Sequence, residues 1–139
     1  MHLYGRRLYE VMAPWETADV DPERTEHERE FARVDKATPK VVFSTTLDRV
    51  EGNARLVRED AAGEVARLKA EPGKLLAAGG AGLAASLIDL IDEFRLFVNP
   101  VILGAGTPFF PAREERIGLR LAETRTFGSR VVYLRYERE

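Results

Sequence analysis

Cysteine is absent from this chain. That excludes disulfides, thiolate nucleophiles and thiolate-bound iron–sulfur clusters. Histidine is scarce: His2 and His27 are far apart, and His27 sits in a charged run, so no metal site is expected. No Ser-His-Asp grouping can be assembled convincingly either. A surplus of one charge is also missing. Lys and Arg number 21 against 23 Asp and Glu, a net −2, which gives no field to draw in nucleic acid or a membrane surface. The uncharged stretch 75–88 has 14 residues and three glycines, too short and too glycine-rich to span a bilayer. Arg6 and Arg7 have no apolar run after them, so the N-terminus does not read as a signal peptide. The cytoplasm is the expected location.

What is present fits one folded domain, 1–139. Apolar residues are 45% and charged residues 32%, which suits a globular chain rather than a disordered one. Leu3-Tyr4 reads as the tail of a strand and 5–12 as a helix ending before Pro14. Asp21-Pro22 looks like a helix start within the charged segment 19–36, a solvated, salt-bridged face. Strands are expected at 40–44, 53–57 and 75–78, with a helix over 60–70 stopped by Pro72-Gly73. A buried helix is expected over 83–91. From Glu93 the apolar period is two, with Phe94, Leu96 and Val98 on one face. Pro100 interrupts that strand, and 101–103 reads as its continuation past a bend or an edge. Two further strand patterns, 119–127 and 130–136, flank Gly128-Ser129 as a hairpin. The fold class is α/β, a three-layer arrangement with a mixed, mainly parallel sheet, helices on both faces and an antiparallel C-terminal hairpin.

Three phosphate-friendly signals follow one another along the chain. Gly5-Arg6-Arg7 opens a helix, Phe43-Ser44-Thr45-Thr46 ends a strand with three hydroxyls, and Gly79-Gly80-Ala81-Gly82-Leu83 opens a second helix. Each has a plain alternative. The glycines can let a helix pack close to a sheet, the arginines can be solvated, and the hydroxyls can close a turn. Gly104-Ala105-Gly106 reads equally as a bulge or tight bend. Tyr9 and Trp15 more often belong to a core. Asp92-Glu93 reads as a helix end entering a strand.

These pieces, with Asp92-Glu93-Phe94-Arg95-Leu96 and the segment from Pro100 through Gly106-Thr107-Pro108 to Phe110, resemble the dihydrofolate reductase-like family. The branch they are most similar to is the reductase domain of the bifunctional deaminase–reductase of riboflavin biosynthesis. The resemblance covers nearly the whole chain. It implies NADPH as cofactor, with NADH not excluded. It places Gly5, Arg6 and Arg7 near cofactor phosphates and Phe43, Ser44 and Thr45 at the adenosine half. Gly79, Gly80, Ala81, Gly82 and Leu83 fall where the pyrophosphate is taken, and Thr107 on the nicotinamide side. Met12 falls on a helix lining the substrate pocket. No catalytic proton donor can be named.

The same resemblance marks departures. Family members begin with a strand ending in a Ser-Leu-Asp-Gly-like motif and then a helix; this chain starts after both. A gap with unpaired backbone groups is therefore expected in the sheet. A longer natural chain, a swapped second copy and a remnant fold are the competing explanations. Leu8 stands where a hydroxyl residue is common and Thr45 where a basic one is. The implied activity is hydride transfer from NAD(P)H to a C=N or C=O group of a pterin- or pyrimidine-like heterocycle. The rival expectation is a non-catalytic nucleotide-binding or structural oligomer. A homodimer is expected in either case.

Overall fold

The structure, a computed structural model, describes every residue except Lys74. Its contacts cluster into two units, 1–87 and 88–139.

The first unit holds four parallel strands: β1 (His2–Gly5), β2 (Lys40–Phe43), β3 (Ala54–Val57) and β4 (Ala77–Gly79). Their order is β3-β2-β1-β4. The register runs from His2 opposite both Lys40 and Ala77, so Gly5, Phe43, Val57 and Gly79 all close their strands at one end of the sheet. β2 is buried along its whole length, and its Val41 and Val42 form the core with Leu3. Burying a Val or Leu side chain stabilises by about 1.5–3 kcal/mol. Helix α1 (Arg6–Met12) leaves β1 directly and passes into a short 3-10 turn, Ala13–Glu16. The expected stop before Pro14 is thus a tightening, because proline fits the first positions of the new turn, where its missing N–H costs nothing.

Helix α2 (Glu26–Ala37) corrects the expected start at Asp21-Pro22. Its N-cap is Thr25. The Thr25 hydroxyl accepts from the Glu28 N–H, and the Glu28 carboxylate accepts from the Thr25 N–H, a reciprocal capping box. Two satisfied donors outweigh the acid–proline signal upstream. Its outer face is salt-bridged as expected, with Glu26 held by Arg29 and Arg33.

Helix α3 (Ala61–Lys69) is capped by Asp60, and α4 (Ala81–Ser86) follows β4. The helix expected over 83–91 is broken. It ends at Ser86, whose hydroxyl donates to the Leu83 carbonyl, and a separate 3-10 turn follows at Ile88–Leu90.

The second unit is an antiparallel sheet of β5 (Glu93–Val98), β6 (Leu119–Thr126) and β7 (Val132–Arg138), in the order β5-β7-β6. The hairpin and the period-two strand are as read from sequence. Residues 101–103 are not a continuing strand but exposed coil. Arg138 holds the start of this unit, donating to the carbonyls of Ile88, Asp89 and Ile91. Among the described residues the parallel and antiparallel strands form two sheets, with β3 and β4 at the edges of one and β5 and β6 at the edges of the other.

Candidate functional site

Strand order 3-2-1-4 reverses between β1 and β4, and ligands of open parallel sheets bind outside the carboxyl ends near such a switch point. A cavity of about 580 Å³ opens at that end. Gly5, the last β2 residue Phe43 and the following Ser44 and Thr45 line it, as do Leu83 and Ser86 of α4. The turn from β3 into α3 supplies Arg58, Glu59, Asp60 and Ala61. Its volume lies in the range of small-molecule sites.

The turn has a local cause. Asp60 takes a left-handed conformation, φ 49°, and its carboxylate accepts from the Gly63 N–H at 2.9 Å. Asp tolerates that conformation better than most residues, and the bond to the helix start offsets its cost. Gly63 must stay small, since an added Cβ would lie 2.0 Å from the Asp60 carboxylate. Arg58 donates from Nη2 to the Asp48 carbonyl at 2.8 Å, which ties the turn to the loop after β2. Ser44 accepts from the N–H groups of Thr46 and Leu47, so the turn-closing role of this hydroxyl is present.

Five expected site residues meet at the cavity: Gly5, Phe43, Ser44, Thr45 and Leu83. Arg6 and Arg7 are exposed and outside its lining. Arg6 is held by Glu10 at 2.7 Å and donates to the Thr46 hydroxyl at 2.9 Å. Gly79 ends β4 and Gly80, Ala81 and Gly82 follow it, but none of them lines the cavity. A Cβ on Gly79 would sit 2.5 Å from Leu8 Cδ2, so this glycine makes room for a packed leucine. Gly80 has φ 90°, a conformation that side chains disfavour. Met12 ends α1 away from the lining. Thr107 lies in exposed coil of the second unit.

Arg58, Glu59 and Asp60 line the cavity without belonging to any of the three phosphate-friendly signals. Their signal was available: an acid directly before a helix, at the end of a parallel strand.

A second polar cluster lies at the opposite, amino end of the strands. Lys40 and Asp35 are both buried, 3.3 Å apart, and Glu16 is 3.6 Å from the same ammonium. Tyr4 donates to Asp35 at 3.2 Å and meets His2 Nδ1 at 2.9 Å. Burial, then the Asp35 charge, pushes the Tyr4 phenol well above its ordinary value. Desolvation lowers the His2 pKa, against the pull of Asp35.

The chain is 36% identical over 137 residues to the uncharacterized protein YyaP of Bacillus subtilis, spanning 96% of this chain and 71% of that protein. Over 101 residues it is 42% identical to the uncharacterized protein YwjB of the same organism, across 70% of this chain and 58% of that one. Among solved structures it resembles a Shewanella sp. PV-4 protein named for riboflavin biosynthesis, with TM-score 0.76, 21% identity, and 99% and 73% of the two chains covered. Dihydrofolate reductase from Enterococcus faecalis, complexed with NADP(H), gives TM-score 0.64 at 15% identity, with 99% and 73% covered. These confirm the dihydrofolate reductase-like fold. The model of the RibD C-terminal domain matches residues 2–133, and the chain therefore belongs to the RibD C-terminal domain family.

Proposed function

We propose that this chain is a nicotinamide-dependent reductase whose cofactor enters the cavity at the carboxyl ends of β1, β2 and β3. The observation that carries this is the convergence of Gly5, Phe43, Ser44, Thr45 and Leu83 on one cavity, in a member of the RibD C-terminal domain family. The chemistry of the lining suits part of a dinucleotide. Phe43 and Leu83 offer apolar surface to a base, Ser44 and Thr45 offer hydroxyls to a sugar, and Arg58 offers a planar cation that stacks on aromatic rings. Arg6, fixed by Glu10 and Thr46, stands ready beside the strand ends as a phosphate partner.

A bound nicotinamide would supply the hydride; the protein's part is to bind, orient and exclude water. The proposed acceptor is a C=N or C=O group of a pterin- or pyrimidine-like heterocycle. The test is loss of nicotinamide absorbance when the chain is incubated with NADPH or NADH and ribosylaminopyrimidine or pterin acceptors. Turnover abolished by Ser86→Trp, which fills the cavity from an exposed position, supports the reading. Saturable cofactor binding with no turnover on any acceptor would favour the rival, a nucleotide-binding protein without catalysis.

A further inference from the structure

We infer that Glu59 selects the cofactor, favouring a dinucleotide without a 2′-phosphate. This deepens the proposed nicotinamide reading and rests on it. Three charged side chains line the cavity: Arg58, Glu59 and Asp60, which sum to −1. Asp60 is committed to capping α3. Arg58 is partly engaged by the Asp48 carbonyl. Glu59 has no hydrogen-bond or ion-pair partner among the described residues, so its carboxylate is available to a ligand. Thr45, which also lines the cavity, brings no cation.

Carboxylates are acceptors only. A free ribose 2′-hydroxyl can donate to one, whereas a 2′-phosphate is repelled by it, and acidic residues at strand ends discriminate the two nucleotides on this ground. Arg6 and Arg7 lie outside the lining, and Arg6 is already paired with Glu10, so neither makes an ion pair with Glu59. A dianion a few ångströms from one exposed carboxylate is disfavoured on the order of tenfold in binding at low salt, and less as salt rises.

The experiment is a calorimetric titration of the full chain and of Glu59→Gln with NADH and with NADPH, at low and at moderate salt. 2′,5′-ADP and 5′-AMP serve as fragment probes. The wild-type chain is expected to bind NADH at least as tightly as NADPH. Glu59→Gln is expected to tighten NADPH and 2′,5′-ADP by about tenfold at low salt and to weaken NADH and 5′-AMP by roughly two- to fivefold, because its amide oxygen is a weaker acceptor for the 2′-hydroxyl than the carboxylate. A wild-type preference for NADPH, or a preference unmoved by Glu59→Gln, overturns the inference while leaving the reductase reading intact. No binding of any probe to the wild-type chain overturns both. Circular dichroism of the variant establishes that it is folded; the residue is exposed, and the substitution removes no described contact.

Discussion

Substituting Gly79 by alanine separates packing from ligand binding at the glycine pair. The added Cβ would lie 2.5 Å from Leu8 Cδ2 and 4.0 Å from Leu8 Cγ. Gly79 has no left-handed backbone, so the clash is the whole obstacle. The contact is with the end of a flexible side chain, which can rotate at a cost, and overpacking of this kind costs about 1–3 kcal/mol. Alanine in a strand recovers about 0.5–1 kcal/mol of backbone entropy, leaving a net loss of about 1 kcal/mol. Removing the leucine should remove the obstacle. In a Leu8→Ala background, Gly79→Ala is expected to be neutral or slightly stabilising. Urea unfolding of the four proteins gives the cycle, with an expected coupling of about 1–2 kcal/mol. Additivity within about 0.5 kcal/mol would refute the packing explanation. The same four proteins titrated with NADPH report the second role: cofactor affinity lost in Gly79→Ala even when Leu8 is removed would assign the glycine to the ligand as well.

Other expectations follow from the geometry. Thr25→Ala breaks the capping box of α2 and should cost about 1 kcal/mol in urea unfolding, whereas Asp21→Ala, at the superseded start, should be nearly silent. Because the folded-state pKa of His2 is lowered from 6.5, the native state binds fewer protons than the unfolded chain in that window. Stability should therefore fall as pH drops through 6.5 toward the lower native value, and level off below it. His2→Asn should flatten that slope in urea midpoints between mildly alkaline and mildly acid buffer; an unchanged slope would exclude His2 as its source. Hydrogen bonds from Arg67 and Arg55 hold the Glu64 carboxyl down to about 2, so its contribution is present above 4.5 and is lost as pH falls from there toward about 2. Glu64→Gln should narrow the difference in stability between neutral and strongly acid solution. Arg6→Ala with Arg7→Ala should weaken NADPH and NADH equally in calorimetry, since both side chains lie outside the cavity lining; a loss confined to NADPH would place a 2′-phosphate beside them.

Strand β2 was legible because a β-branched, fully buried run such as Val41-Val42 has few alternatives; β4 starts at Ala77 rather than at Leu75, and its two alanines are exposed. The C-terminal hairpin was legible because two strand patterns flank Gly128-Ser129, and β5 because Phe94 and Leu96 alternate with exposed neighbours. The start of α2 is ambiguous in the sequence, because Asp21-Pro22 and the capping-box pair Thr25 and Glu28 both carry start signals, and the reciprocal bonds of the second decide it. The break after Ser86 falls inside an unbroken apolar pattern: Leu87 leaves the helical conformation (φ −106°, ψ 9°), which composition does not reveal. At the site, glycines and hydroxyls drew the reading. Half of the cavity is instead lined by Ser86 and the turn 58–61, whose place follows from strand register and from the left-handed Asp60. Tertiary pairing, not local pattern, brings Gly5 beside Leu83, where a Cβ would meet Leu83 Cβ at 3.6 Å.

The central claim is that the cavity over the carboxyl ends of the parallel strands takes a nicotinamide dinucleotide. The most direct measurement is calorimetry of the 139-residue chain against its Ser86→Trp variant, each titrated with NADH and NADPH. The account predicts saturable micromolar binding of at least one nucleotide to the wild-type chain and its loss in the folded variant. Binding that survives in Ser86→Trp would place the cofactor elsewhere, and no binding to the wild-type chain would contradict the claim outright.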